Sequence, residues 1–153
     1  AGLDARAIEL VSWSHKKQIG PLAYILAGLK AVAGKLPQIK FSAGTNRTAG
    51  ELVLVGNGRL YGGNYKIFPQ ADLRDGLLDI CVFPRAGWLN LVRCGLPLLA
   101  CGNVPAGAVQ RFQAETFTLS SESRVPFELD GELIGHLPAT FSFGRGRLRV
   151  LVP

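Results

Sequence analysis

Beyond Gln38 the chain is punctuated: short runs rich in β-branched, aromatic and aliphatic residues are repeatedly interrupted by Gly, Pro, Asp and Asn. The runs span residues 38–43, 51–57, 78–83, 111–119, 124–129, 132–134, 139–143 and 147–152. Segments of this length are read as strands rather than helices, and turn residues between them set their ends. Strands this numerous, short and regularly spaced predict a mainly β, sandwich-like domain. Between the first two runs, Gly44-Thr45-Asn46-Arg47-Thr48-Ala49-Gly50 is polar and bounded by glycine, which predicts a loop joining them as a hairpin.

Two segments break the pattern. In residues 17–35, Ile19, Leu22, Ile25, Leu26, Leu29 and Val32 recur at three- and four-residue steps, the period of an N-terminal amphipathic helix with one buried face. Pro21 near its start and Gly34 with Pro37 at its end fit that boundary. A second, short helix is expected from about Ala86 to Cys101, with Gly95 and Pro97 bending or ending it early.

A chain of 153 residues accommodates one domain of ordinary size. Hydrophobic residues at 48% against 18% charged exclude a disordered tract and predict a substantial core. The longest apolar candidate for a membrane span, Trp88 to Cys101, is interrupted by Arg93, Gly95 and Pro97. The start, Ala1-Gly2-Leu3-Asp4, carries no initiating Met and no signal-peptide pattern, so the chain is expected to be part of something longer. Cys81, Cys94 and Cys101 are odd in number and lack CxxC spacing, which predicts buried thiols and a cytoplasmic setting. The net charge of +6 suits nucleotides, anionic head groups or nucleic acid. Nucleic acid is disfavoured, because the basic residues are scattered and no aromatic-and-basic stacking motif accompanies them.

Three constellations have chemical potential. Val55-Gly56-Asn57-Gly58-Arg59-Leu60-Tyr61-Gly62-Gly63-Asn64 is a glycine-rich loop leaving a strand. It satisfies neither GxGxxG nor a Walker loop, and on its own it is read as a tight strand connection rather than a phosphate cradle. Gln70-Ala71-Asp72-Leu73-Arg74-Asp75-Gly76-Leu77-Leu78-Asp79 contains an Asp-Gly turn that can also gather oxygens for a hard cation such as Mg²⁺, and spacing alone favours the turn. Leu129-Asp130-Gly131-Glu132 is a strong hairpin signal. In extended chain Asp130 and Glu132 would also share a face, where adjacent carboxylates raise each other's proton affinity and one can act as general base. His15 and His136 are too isolated for a triad or metal site and are read as surface or loop residues.

In this order the features resemble the C-terminal domain of the diacylglycerol kinase, sphingosine kinase and bacterial lipid kinase superfamily. The likeness rests on Gly2-Leu3-Asp4-Ala5, Leu22-Ala23-Tyr24-Ile25, the strand and loop from Val53 to Gly63, the segment Pro69 to Asp79, Leu129-Asp130-Gly131-Glu132 and the ending Leu148-Arg149-Val150-Leu151-Val152-Pro153. It implies the β-sandwich half of an NAD kinase/diacylglycerol kinase-like fold. Residues 1–153 would be the lipid-substrate and catalytic-base domain, with an ATP-binding N-terminal domain missing in cis. The implied activity is ATP-dependent phosphoryl transfer to a lipid hydroxyl, of diacylglycerol or sphingoid type. Glu132 would be the proton acceptor and Asp130 its support, and Asp75 with the carbonyls of Asp72 and Leu77 would form a structural Mg²⁺ site.

The resemblance also implies a cytoplasmic protein in peripheral contact with membrane, and it leaves a homodimer open. Taken alone the chain is expected to be inactive. It departs from the family at Gly62-Gly63-Asn64, where three glycines are common, and at Asp72, a variable position that contributes only its carbonyl. The competing reading is a stand-alone β-sandwich that binds lipid or protein without catalysis.

Overall fold

In the structure, a computed structural model, the residues described are 1, 2, 5, 36–61, 65–144 and 146. The expected N-terminal helix at 17–35, His15, the Gly62-Gly63-Asn64 triplet and the final strand at 147–152 lie outside them. Nine strands are described: β1 (Ile39–Ala43), β2 (Asn46–Gly50), β3 (Leu52–Gly56), β4 (Leu78–Phe83), β5 (Gln110–Ala114), β6 (Thr116–Ser120), β7 (Pro126–Leu129), β8 (Glu132–His136) and β9 (Ala139–Ser142). One α-helix, α1 (Trp88–Cys101), links β4 to β5. The fold is therefore mainly β, and all pairs between the described strands are antiparallel.

The strands form a four-stranded sheet in the order β2-β1-β6-β9, a three-stranded sheet in the order β3-β4-β5, and the separate hairpin β7-β8. In the three-stranded sheet β3 and β4 are covered on both faces, which explains why they read as nearly continuous apolar runs. Leu52, Leu54, Cys81 and Phe83 point toward one core with Ile67, Phe68 and the inner face of α1. Their neighbours Val53, Ile80 and Val82 point the other way and meet Ile39, Phe41, Phe117 and Leu119 of the four-stranded sheet. The period-2 alternation of a strand thus sorts consecutive residues into two cores.

The structure corrects three expectations about the strands and the helix. The segment after Gly44 is a strand, not a loop: β2 pairs with β1, Ile39 opposite Gly50, while β3 pairs with β4, Leu52 opposite Phe83. The polar residues Asn46 and Arg47 are exposed on a strand at the sheet's edge, where charge and polarity block further pairing. β3 needs cover on both faces and so leaves for the other sheet. Gly50 permits that exit, since a Cβ there would collide with the Phe83 carbonyl.

The run at 111–119 is two strands in different sheets, divided at Glu115. Phe112 and Ala114 face the shared core at even positions, Phe117 and Leu119 at odd ones. One unbroken strand cannot bury both sets on the same side, so the chain changes phase at Glu115.

α1 runs through Gly95 and Pro97 to Cys101 and ends where Gly102, at φ +69°, donates to the Leu98 carbonyl. Pro97 removes the hydrogen bond to the Arg93 carbonyl, an interior cost of about 3 kcal/mol. Leu91, Cys94 and Leu98 pack on the core from both sides of that gap, and this tertiary anchoring holds the helix together. No described helix is long and apolar enough to cross a membrane. All three cysteines are free. Cys81 is buried as expected, but Cys94 is only half-buried and Cys101 is exposed at the helix end, where no core reaches it.

Candidate functional site

Leu129 pairs with Glu132, so Asp130 and Gly131 alone form the turn of the β7-β8 hairpin. Both have positive φ, +49° and +84°, the two-residue turn whose twist matches that of its flanking strands. Asp tolerates this conformation and Gly favours it, which accounts for the pair locally. The shared-face argument for Asp130 and Glu132 is corrected here: it presumes extended chain, and the chain reverses between them. Asp130 stands on the turn, and Glu132 is the exposed first residue of β8.

The hairpin is tied to the body of the domain at its base. Gly2 N–H donates to the Pro126 carbonyl at 3.2 Å while bridging to Leu52 of β3, and Leu137 N–H donates to the Val125 carbonyl at 2.9 Å. Gly2 adopts φ +92°, and a Cβ there would lie 2.6 Å from the Glu51 carbonyl oxygen. Near its tip, Glu128 Oε2 accepts from Gly131 N–H at 2.7 Å, and Glu128 Oε1 accepts from the Tyr61 hydroxyl at 3.4 Å. One carboxylate therefore braces the Asp-Gly turn against the end of the glycine-rich loop.

Between them lies a cavity of about 840 Å³. Gly56, Asn57, Gly58, Leu60 and Tyr61 line one side, and Glu128, Leu129, Asp130 and Gly131 line another. Its apolar wall includes Val53, Val55, Leu78, Phe127 and Phe141. Phe127 and Phe141 meet edge to face, ring centroids 5.3 Å apart. Glu132 is not among the lining residues. A cleft that combines an apolar wall with two carboxylates, Glu128 and Asp130, suits a largely apolar ligand with a polar group.

The Asp72–Leu77 turn contributes no residue to this lining. Asp72 Oδ1 accepts from Arg74 N–H at 3.0 Å, Asp75 Oδ1 accepts from Leu77 N–H at 2.8 Å, and the Asp72 carbonyl accepts from Asp75 N–H at 3.3 Å. Gly76, at φ +74°, closes the turn. Neither aspartate is among the residues lining the cavity. Behind this turn, Asp79 is 6% exposed in the middle of the central sheet, opposite Gly56 and Gln113. Its Oδ1 accepts from Gln113 Nε2 at 3.2 Å, whereas Oδ2 has no hydrogen-bond partner. Burial and, to a smaller extent, the Asp75 charge hold its carboxyl above the usual range, against the Gln113 hydrogen bond and the Arg111 charge. Arg111 turns inward and donates to the Ile67 carbonyl and to Cys81 Sγ.

The architecture has known counterparts. A family model described as the YegS C-terminal NAD kinase beta sandwich-like domain matches residues 1–152. The chain belongs to that family. It is 31% identical over 155 residues to a probable lipid kinase YegS-like of Pseudomonas aeruginosa (strain UCBPP-PA14), covering 99% of this chain and 51% of the relative. It is 24% identical to the diacylglycerol kinase of Bacillus subtilis (strain 168), covering 90% of this chain and 46% of that one. A crystal structure of a putative diacylglycerol kinase from Bacillus anthracis str. Sterne superposes with a TM-score of 0.64 at 21% identity, over 92% of this chain and 46% of that one, a likeness of fold. The chain spans about half the length of the curated relatives it matches.

In the Asp72–Leu77 turn the oxygens that the sequence reading offered to a hard cation serve the turn itself: Asp75 Oδ1 accepts from Leu77 N–H and the Asp72 carbonyl from Asp75 N–H. No cluster of three or more His, Cys, Asp or Glu suited to a metal occurs among the described residues. The structure brings Asp130 and residues 56–61 of the glycine-rich loop to one cavity; no residue of the Asp72–Leu77 turn lines it, but Leu78 directly after the turn does. Sequence reading missed Glu128 and Tyr61, whose contact joins segments 67 residues apart. Only the position of Glu128, three residues before Gly131, hinted at its local bond.

Proposed function

We propose that this chain is the acceptor-side domain of a lipid kinase that transfers the γ-phosphate of ATP to a lipid hydroxyl. The observation that carries the reading is the cavity whose lining joins an apolar wall to Glu128 and Asp130, in a domain whose relatives are named as lipid and diacylglycerol kinases. The apolar wall would hold an acyl or sphingoid chain. Its hydroxyl would lie at the hairpin, where Glu132 accepts the proton and Asp130 supports it. ATP would bind mainly to a separate N-terminal domain, since the glycine-rich loop at 55–64 satisfies neither GxGxxG nor a Walker loop. Asp75, with the carbonyls of Asp72 and Leu77, would hold Mg²⁺, which supplies positive charge that orders the loop.

Phosphoryl transfer depends on positioning and charge neutralisation, so the domain's own contribution is to orient the acceptor and take one proton. In the full-length protein, Glu132→Gln keeps size and removes the base. Turnover should fall by about 10²-fold or more while ATP affinity and melting temperature stay near wild type. Wild-type turnover in the mutant, with chemistry rate-limiting, removes Glu132 from the mechanism. The chain alone, given labelled ATP, Mg²⁺ and lipid micelles, should show none. Phosphorylated lipid above the no-protein background would overturn the two-domain division.

A further inference from the structure

The helix α1 is amphipathic in an unusual sense, because both of its faces are apolar. Leu91, Cys94 and Leu98 pack inward on the core. Leu89, Leu96, Trp88 and Val92 are 80%, 63%, 58% and 37% exposed. At about 100° per residue these four fall on one arc opposite the packed three, so they form a continuous outward stripe. An ordinary solvated helix carries charge on that arc. Here there is no Asp or Glu between Asp79 and Glu115, and the basic residues in that interval are Arg85, Arg93 and Arg111. Arg111 is committed to the Ile67 carbonyl and Cys81. Arg85 and Arg93 are exposed, one just before the helix and one beside the stripe.

We propose that this face of α1 docks on an anionic lipid bilayer, lying in the interface with Trp88, Leu89 and Leu96 inserted and Arg85 and Arg93 against head-group phosphates. The proposal rests on reading the domain as the acceptor half of a lipid kinase, and it adds the surface by which such a domain would reach an acceptor held in a membrane. The chemistry favours a bilayer over a second copy. A two-fold contact through this stripe would bring cationic side chains from both copies together, and the carboxylate at the helix's start, Glu51, is engaged by Ala86 N–H at 2.7 Å. Anionic head groups supply that countercharge, and acyl chains accept Leu and Trp without a shaped pocket. Tryptophan also favours the membrane interface, where its ring is buried and its N–H stays wet.

The test uses the full-length protein carrying this domain, with phosphatidylcholine vesicles made with and without phosphatidylglycerol. Wild type should cosediment with the anionic vesicles, and Leu89→Asp/Leu96→Asp should lower the affinity by about tenfold or more. Arg93→Ala should lose several-fold in affinity, and only for anionic vesicles, with unchanged thermal unfolding. The blue shift of Trp emission on binding should be smaller in Trp88→Phe. Activity on a short-chain acceptor that needs no bilayer should be the same in Leu89→Asp/Leu96→Asp as in wild type. If the leucine variant binds vesicles as tightly as wild type, the docking surface is refuted, whatever the kinase assay gives. A dimer that dissociates in that variant would also refute it, assigning the face to a second copy. If vesicle binding falls but no lipid is ever phosphorylated, the docking surface stands and the kinase reading fails.

Discussion

Gly56 is the position where fold and cavity are most tightly coupled. It closes β3 opposite Asp79 and begins the glycine-rich side of the cavity. Its φ lies outside the left-handed region, so the backbone itself accepts alanine. Space does not: a Cβ would lie 2.5 Å from Phe68 Cδ2 and closer still to Cε2. Carbon atoms in contact prefer about 3.5–4.0 Å, so relief requires movement of about 1 Å or more. Phe68 is 2% exposed and meets Tyr61 edge to face at 6.5 Å, so its ring cannot move without disturbing the core or the cavity wall.

Overpacking of this kind costs about 1–3 kcal/mol, and loss of glycine's unfolded-state entropy returns about 0.4–1 kcal/mol. The expected net loss is about 1–2 kcal/mol, which at about 2–4 °C per kcal/mol for a domain this size lowers the melting temperature by roughly 2–8 °C. Gly95→Ala, in open space on α1, should instead stabilise by up to about 1 kcal/mol. Thermal unfolding followed by circular dichroism reads both. The decisive measurement is Gly56→Ala/Phe68→Leu, which should lose less than the sum of its single changes. Additive losses, or a Gly56→Ala protein as stable as wild type, would refute the steric argument.

Mg²⁺ should raise the melting temperature, and Asp75→Ala should abolish that increment in addition to lowering the metal-free value through loss of the Leu77 N–H bond; an undiminished response in the mutant removes the cation from this turn. A second prediction concerns Cys81, whose thiol burial pushes up to about 11 from the ordinary 9.0 despite the Arg111 charge beside it. The folded state holds this proton more tightly, so the associated stability, about 2–3 kcal/mol at most, is complete below pH 9.0 and is lost as pH rises through about 11. Denaturant unfolding of wild type and Cys81→Ala should therefore converge across that interval, and parallel curves would exclude the effect.

Much of the fold is legible because burial writes itself into the period of the sequence. β4 and the β7-β8 hairpin are plain from apolar runs and an Asp-Gly pair. The failures have a common cause: which sheet a strand joins depends on partners far away in sequence. Asn46 to Gly50 looks like a loop because an edge strand has little apolar surface to show. The change of sheet at Glu115 was visible in principle, since Phe112 and Ala114 occupy the opposite parity from Phe117 and Leu119. Reading the run for its length alone hid that phase shift. The continuity of α1 through Pro97 could not be read locally, because it is maintained by packing of Leu91, Cys94 and Leu98 on a core drawn from distant segments.

The site divides along the same line. Asp130 and Gly131 are doubly determined: a two-residue turn with both φ values positive selects them whether or not any chemistry occurs there. Their presence is therefore weak support for function by itself. Glu132 is different, because the hairpin pairs it with Leu129 through the backbone and leaves its side chain exposed, so nothing in the turn requires a carboxylate at that position. Glu128 lies between these cases. It is bound to Gly131 N–H and the Tyr61 hydroxyl, so its charge holds two walls of the cavity at a fixed separation. The residue whose identity the fold leaves least explained is the one on which the catalytic reading depends, and for that reason Glu132→Gln tests function with little interference from folding.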